Sequence, residues 1–486
     1  MSRRHVAEMT ALAGLALCAS LLWAGLAAAA PPASSRHAVP GGTWGDAMEV
    51  PGTAALNTGT EAAVEAVSCG APGNCAVGGS YADKASQIHG FVDSQVNGTW
   101  RQARNVPGLA AFGAGSSEIT AMSCGGLRNC VAAGWTYTRK NHFPSVAFAV
   151  SYSNGRWHNA VAIRGSIAFG GPSAGDLSIS CPSAGNCALS GSYFDRSGHT
   201  QAFAAREVAG TWRKPIEVPG TGSLNRGGDA EANSVSCASP GNCAVVGFYL
   251  DRAHVARAFA DDLVRGSWRR AREVPGTKSS RLGADLTAVS CASRGNCSAG
   301  GYIGSTFLGK AQALVASEIN GTWRPAIVVP GTIALNRLHN ASVTTISCAS
   351  PGNCSAGGSY DTKPFTFQAF VANEVKGIWR KAIEVPGTEA LNVPGGFATV
   401  SSISCASPGN CSAGGIYQIP SGNNQAFVVT EVNGIWAKAM AVPGVSALGT
   451  QAEILSLSCA KPGKCTAGGD FSKSVVGVQA MVVSER

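Results

Sequence analysis

The hydrophobic positions of this chain fall into short runs that recur in a fixed order. The first run is seen in "TTISC" (344–348) and "TVSSISC" (399–405), the second in "NCSAGGSY" (353–360). The third is "QAFVVTEV" (425–432) and the fourth "IWAKAMAVPG" (435–444). Each has strand length, is bounded by turn residues and is rich in Val, Ile, Thr or aromatics. None keeps an apolar stripe of helical period beyond a turn or two. The third run is almost continuously apolar, so both of its faces are expected to be covered. A tight turn joins the third and fourth runs: Asn97-Gly98, Asn154-Gly155, Asn320-Gly321 and Asn433-Gly434, or Ala209-Gly210, Arg265-Gly266 and Lys376-Gly377. Asn-Gly supplies two residues of positive φ and is the strongest short hairpin signal. The pattern predicts a four-stranded antiparallel meander, copied along the chain.

The cysteines set the period. "CASPGNCSAGGSY" from Cys348 returns as "CASPGNCSAGGIY" from Cys405 and "CASPGNCAVVGFY" from Cys237. The pairs are Cys69/Cys75, Cys124/Cys130, Cys181/Cys187, Cys237/Cys243, Cys291/Cys297, Cys348/Cys354, Cys405/Cys411 and Cys459/Cys465. A regular period of this length means one supersecondary unit repeated. Each pair brackets the turn between the first and second strands. A local disulfide there closes a hairpin and stabilises by roughly 2 kcal/mol in the chain-entropy model. Zinc sites prefer tighter spacings in matched twos, and the 8 His keep no register with the cysteines. Eight disulfides imply an oxidising compartment.

The N-terminus agrees. "MSRRH" followed by "TALAGLALCASLLWAGLAAAA" and the small residues Ala28-Ala29-Ala30 reads as a secretory signal over residues 1–30. The apolar stretch is also long enough for an uncleaved anchor. Cys18 lies within it and follows the bulky Leu17, so it reads as part of the signal, not a lipidation site. Residues 31–42 read as a short linker, and no later segment is apolar enough to span a membrane.

The termini decide between an open stack and a ring. After the last cysteine pair comes a third strand, "VQAMVVSER", and the chain ends without a fourth. Before the first pair stands an orphan fourth strand, "TWGDAMEVPG" (43–52). Fourth-strand tryptophans are Trp44, Trp100, Trp157, Trp212, Trp268, Trp323, Trp379 and Trp436. Eight of these balance eight cysteine pairs only if the N-terminal strand completes the last sheet. That is the closure of a β-propeller. The expected fold is all-β: an eight-bladed propeller over 43–486, one disulfide per blade. The chain resembles the β-propeller superfamily over that span. Its "NGTW" hairpins are distantly similar to the Asp-box of sialidase-type propellers, with a shorter turn. The "SCASPGNC" unit resembles repeats of exported actinobacterial proteins, a likeness that implies no activity.

Of the 486 residues, 45% are hydrophobic and 13% charged, which excludes a disordered chain. The net charge of +9 is spread without basic runs, so a nucleic-acid role is not expected. In a meander, turns one-two and three-four share a rim, here uniform from copy to copy. Turns two-three and four-one share the second rim, which diverges after "VPGT". Divergent loops over a uniform scaffold point to binding at the second rim and its central mouth.

One constellation lies there. Aromatics follow the second cysteine at a fixed distance: Tyr81, Tyr193, Tyr249, Tyr360, Tyr417 and Phe471, with Trp135 and Tyr302 offset. Three open the phrase Tyr-x-Asp-basic: Tyr81/Asp83/Lys84, Tyr193/Asp195/Arg196 and Tyr249/Asp251/Arg252. Such rings beside Asp and Arg can stack on and hydrogen-bond a sugar. The competing reading is packing against the next blade, with Asp starting a turn. The fourth-strand Trps are read as wedges between blades, and Glu49, Glu217, Glu273 and Glu384 as solvent-facing on outer strands. His89, His142, His199 and His254 lie near third-strand starts.

The chain has no Gly-x-Ser-x-Gly, HExxH, Walker or EF-hand motif, and nothing in it calls for a cofactor or a metal. The expectation is an exported, monomeric, non-catalytic binding or scaffold protein engaging a glycan or a cell-surface protein. The alternatives are a carbohydrate-active hydrolase or lyase with carboxylates at the mouth, and a purely structural envelope protein.

Overall fold

A computed structural model describes residues 42–138, 144–163, 177–336, 338–363, 366–472 and 477–486. The expected signal, nearly all of the linker and His142 lie outside the described residues. Eight antiparallel sheets follow one another along the chain, their strands paired in sequence order. Blade 1 consists of Ala62–Ala71, Asn74–Ala82, Ile88–Val96 and an outer strand in two pieces, Thr99–Trp100 and Arg104–Asn105. Blades 2 to 7 repeat it, their inner strands being Ala114–Gly126, Ser178–Ser183, Ala230–Ser239, Ala284–Ser293, Ala341–Ser350 and Ala398–Ser407. Blade 8 is Gln451–Lys461, Lys464–Ser472, Val478–Ser484 and the N-terminal Met48–Glu49. The chain is an eight-bladed β-propeller.

The closure is explicit. Met48 pairs with Val482 and Glu49 with Met481. The Thr43 amide donates to the Arg486 carbonyl at 2.8 Å and the Arg486 amide to the Thr43 carbonyl at 2.9 Å. Trp44 behaves as a blade tryptophan. Its indole N–H donates to Thr430 Oγ1 of blade 7 at 3.3 Å, as Trp436 donates to Asn373 of blade 6 at 3.3 Å and Trp379 to Ser317 of blade 5 at 3.4 Å. The wedge reading of the tryptophans therefore holds in these blades.

Each inner strand is tied to the next by one repeated bond. The amide of every first cysteine donates to the hydroxyl of the serine preceding the first cysteine of the blade before. The partners are Cys124 and Ser68, Cys181 and Ser123, Cys237 and Ser180, Cys291 and Ser236, each at 2.9 Å. They continue with Cys348 and Ser290, Cys405 and Ser347 at 2.9 Å, then Cys459 and Ser404 at 3.0 Å. Cys69 and Ser458, at 3.0 Å, shut the circle. Inner strands this close leave no room for a side chain at the second strand's glycine positions. A Cβ on Gly468 of blade 8 would lie 2.5 Å from Val64 Cγ1 of blade 1.

Two features differ from the expected meander. The fourth strand is broken because its middle amide turns to the neighbouring blade. Ala103 donates to the Pro51 carbonyl at 2.8 Å, and Ala439 to Pro386 at 2.6 Å. Ala47 makes the same bond to Pro443 at 2.8 Å, again closing the ring. The four-one connections are not plain loops. Most carry one helical turn, such as Thr53–Leu56 and Thr388–Leu391. A buried threonine hydroxyl pins the turn: Thr53 donates to the Val50 carbonyl and Thr388 to Val385, both at 2.7 Å. The core runs between blades and is built on third-strand residues such as Phe91, Phe148, Phe259, Phe370 and Phe427, all fully buried. No helix among the described residues is long and apolar enough to cross a membrane.

Candidate functional site

The first rim is scaffold. All eight disulfides form as the spacing predicts: Cys69–Cys75, Cys124–Cys130, Cys181–Cys187, Cys237–Cys243, Cys291–Cys297, Cys348–Cys354, Cys405–Cys411 and Cys459–Cys465. Most join directly opposed strand residues, as Cys348 faces Cys354. Each bridge does more than close a hairpin at the rim. The second cysteine of each pair points inward and is buried. Cys75 packs in the core cluster with Val64 and Phe91, Cys130 with Ile119 and Phe148, Cys187 with Leu189 and Phe203, and Cys465 with Ile454 and Met481. Cys243, Cys297, Cys354 and Cys411 are buried likewise in the intervening clusters. Hydroxyls of the preceding blade meet these sulfurs: Thr466 Oγ1 lies 3.4 Å from Cys75 Sγ, and Ser412 Oγ 3.3 Å from Cys465 Sγ. The cause is the pleat, since the second strand alternates its side chains between two faces and both are covered by neighbouring blades. Each bridge is thus a core element of its blade as well as a clasp on its turn.

The two hairpins of a blade touch at this rim. The Gly98 amide donates to the Gly73 carbonyl at 2.8 Å, and a Cβ on Gly73 would stand 2.9 Å from the Gly98 nitrogen. Gly73 also has φ of 65°, where a side chain is strained.

The sequence-predicted tyrosines sit near the second rim, but inside the blades. Tyr81, Tyr193, Tyr249 and Tyr360 are all buried. Their hydroxyls reach across the third strand to the outer one. Tyr360 donates to Glu384 at 2.7 Å, Tyr193 to Glu217 and Tyr249 to Glu273 at 3.4 Å, and Tyr81 to Asn105 at 2.6 Å. Burial, with the Glu384 carboxylate next, pushes the Tyr360 hydroxyl well above its ordinary pKa. The rings therefore offer no open face for sugar stacking. Glu217, Glu273 and Glu384, expected to face solvent, are half-buried acceptors of these bonds, and Glu49 is half-buried too.

The aspartates of the same phrase staple turns. Asp83 Oδ1 accepts from the Ala85 amide at 2.8 Å and the Gln87 amide at 3.0 Å, and its Oδ2 meets His89 Nε2 at 2.9 Å. That imidazole contact holds the Asp83 carboxyl below its usual range. Asp195 caps Ser197 and His199 in the same way, with Gln201 on its second oxygen at 3.0 Å. Asp251 caps Ala253 and Val255 and pairs with Arg257 Nε at 2.8 Å. Lys84, Arg196 and Arg252 are exposed beside these turns. The structure thus separates the expected constellation into buried rings, turn staples and surface cations.

Acids on the inner strands near the second rim, with partners on the second strands, carry further polar chemistry; of these residues only Tyr302 stood out in the sequence. At the seam of blades 4 and 5, Asn233 Nδ2 donates to Asp285 Oδ1 at 2.9 Å and to the Leu286 carbonyl at 3.0 Å. Burial, then the Glu231 charge, pushes the Asp285 carboxyl up to about 7. Tyr302 pairs opposite Asp285, and burial with that carboxylate raises its hydroxyl to about 12. Across the ring, at the seam of blades 8 and 1, Asp470 pairs opposite Glu453. Burial, then the charges of Glu453, Glu65 and Glu61, holds Asp470 well above the usual carboxylate range. In blade 2 the Tyr137 hydroxyl donates to Glu118 at 3.1 Å. No group of three or more His, Cys, Asp or Glu among the described residues could hold a metal ion.

A second set of buried acids lies in the seams under the first rim. Glu374 accepts from Ser298 at 3.0 Å and Ser317 at 3.1 Å of the preceding blade, and Glu485 from Ser412 at 3.3 Å and Thr430 at 3.1 Å. Glu431 accepts from Asn373. Burial pushes Glu431 up to about 7 against that bond and the Ser355 hydroxyl. An open cleft of about 690 Å³ runs over this seam between blades 6 and 7. Glu374 and Glu431 stand just before the last valine of their strands, so the signal was the repeated "EV" ending of the third run.

No family model matches this chain, and no curated protein matches it. Solved structures do. Sqt1 from Chaetomium thermophilum covers 87% of this chain and 97% of its own, at 11% identity and a TM-score of 0.47. A polysaccharide lyase titled PL25 ulvan lyase covers 73% of this chain and 89% of its own, at 10% identity and a TM-score of 0.42. A Hadza microbial sialidase covers 74% and 73%, at 9% identity and a TM-score of 0.38. At these identities and superpositions the likeness extends to no residue role.

Proposed function

We propose that the protein is an exported, non-catalytic binding module that engages a glycan or a cell-surface partner through its second rim. One contrast carries the reading. Bonds that repeat from blade to blade hold the ring and the first rim, while the inner-strand position six before each first cysteine, near the second rim, carries Glu118, Glu231, Asp285 and Glu453 in some blades and Ala63, Ser342 or Thr399 in others. A rigid scaffold that displays variable polar groups is the arrangement of a recognition surface. Eight disulfides suit an oxidising extracellular setting. Half-buried carboxylates such as Glu453 and Glu231 can accept hydrogen bonds from sugar hydroxyls.

The test is retention of residues 43–486 on a glycan array and on cell-wall polysaccharide. Retention is expected, with a loss of about tenfold on Glu231→Gln or Glu453→Gln, since each removes about one charged hydrogen bond. No binding to any glycan or surface fraction overturns the reading.

A second reading has one observation in its favour. Burial and the neighbouring Glu453, Glu65 and Glu61 raise the Asp470 carboxyl well above its usual range, the kind of shift that sets a general acid apart from its partner in glycan-cleaving sites. Polysaccharide cleavage that disappears in Asp470→Asn would establish an enzyme instead.

A further inference from the structure

Blade 5 exposes an apolar tip on the second rim. Its two-three hairpin joins Asn296–Ser305 to Lys310–Ile319 and ends in "TFLG" where blades 1, 3 and 4 use the polar Asp turn. Phe307 is 96% exposed and Leu308 57%. The tip is ordered by its own bonds. The Leu308 amide donates to Ser305 Oγ at 3.2 Å and the Gly309 amide to the Thr306 carbonyl at 3.1 Å.

Two four-one loops flank the tip. On one side the Gly304 amide donates to the Gly283 carbonyl at 2.8 Å, which brings Leu282 alongside. On the other, Ala311 bridges Asn340, which brings Leu338 alongside. Leu282 is 45% exposed and Leu338 38%. The loop bearing Leu282 is pinned from beneath, where Arg257 Nη1 donates to the Ser280 carbonyl at 2.7 Å. Cations lie on the tip's own strand and on the flanking loop: Lys310, and Lys278 with Arg281, are exposed. Residues 277–284, 304–311 and 338–340 contain no acid.

We propose that this corner of the second rim seats on an anionic lipid bilayer. Phe307 and Leu308 enter the acyl boundary, and Lys278, Arg281 and Lys310 face the headgroups. An apolar tip ringed by cations is complementary to a surface that is anionic outside and apolar within. A polysaccharide would leave the aliphatic and aromatic carbons without a partner. A second copy of the chain needs roughly 800 Å² per partner for a stable interface, more than a projecting hairpin tip offers. The proposal gives the second rim a partner class and rests on that rim being the working face. Glycan retention and lipid binding use separate probes, so either can fail alone.

The test is co-sedimentation of residues 43–486 with large vesicles of phosphatidylglycerol and phosphatidylcholine in equal parts. This span closes on itself and excludes the apolar N-terminal segment as a competing membrane element. Binding is expected to these vesicles and not to pure phosphatidylcholine, weakening as salt rises. Phe307→Ser/Leu308→Ser should weaken it by about tenfold or more, and Lys310→Glu should weaken it while keeping the apolar tip. Ile435→Ser, which removes an exposed apolar side chain from the first rim, should change nothing. No binding to the anionic vesicles overturns the proposal. So does equal binding by the Phe307/Leu308 double variant, or a double variant that instead shifts a dimer to a monomer.

Discussion

Ser458 Oγ accepts the backbone N–H of Cys69 at 3.0 Å, joining residues 389 positions apart. It is the same bond that Ser404 makes to Cys459 and Ser68 to Cys124 between blades adjacent in sequence. The seam where the chain's two ends meet is therefore built like the seams in its interior, which leads to the first expectation.

Ser458→Ala should destabilise by about 1–2 kcal/mol, because the Cys69 amide loses its acceptor inside the seam. Ser68→Ala should cost a similar amount. Denaturant midpoints with unchanged slopes measure both. A Ser458 variant within about 0.5 kcal/mol of the parent, as for an ordinary surface change, would place that serine outside a seam.

Trp44→Ala should behave as a core deletion and not as a change in an N-terminal tail. Trp44 is 6% exposed and packs among Val428, Val442 and Met481. The expected loss is about 3–5 kcal/mol, comparable with Trp436→Ala in the next blade. Thermal unfolding of the two variants side by side checks the equivalence.

Tyr360→Phe should cost about 1 kcal/mol by removing the hydroxyl that Glu384 accepts at 2.7 Å. Glycan retention should be unchanged, since the ring is buried. A variant of parental stability with impaired retention would return this tyrosine to the binding surface.

Acid should stabilise the protein from pH 8 down to about pH 5. Burial raises Glu431 to about 7 from an ordinary 4.5. Between those values the folded chain holds a proton that the unfolded chain has lost, so stability falls as pH rises through the window and is flat above it. Glu318, raised to about 7 by burial and then by Asp262, adds to the slope in the same direction. Glu431→Gln should flatten the dependence and raise stability at pH 8, by on the order of 2 kcal/mol. Urea midpoints at several pH values measure it. A slope of the opposite sign would mean that these carboxyls are ionised and paired in the folded chain.

The architecture was legible because two independent repeats, the cysteine pairs and the fourth-strand tryptophans, had to balance, and only Trp44 could complete the count. The third-strand run around Phe427 correctly implied cover on both faces. The spacing of Cys75 from Cys69 announced a bridge, but that Cys75 also fills the core needed the neighbouring blade. The site was less legible. Each first cysteine follows a serine, yet Ser68 or Ser404 on an isolated strand could face water, and only the close approach of neighbouring inner strands makes it an acceptor. The tyrosines were visible at their fixed place. That Tyr193 meets Glu217, Tyr249 meets Glu273 and Tyr360 meets Glu384 at one constant separation was also written in the chain. Reading it required the width of a strand between them. Glu118, Glu231, Asp285 and Glu453 all stand six positions before a first cysteine, a register written in the chain; that they face one rim, and that Asp470 stands opposite Glu453, came only from the strand pairing.

Hydrogen exchange of intact residues 43–486 tests ring closure most directly. The amides of Thr43, Gly45, Ala47 and Val50, bonded to Arg486, Ser484, Pro443 and Ala480, should be as protected as the outer-strand amides of blade 7. Free exchange over 43–50, with blades 2 to 6 still protected, would contradict closure and leave an open stack of sheets.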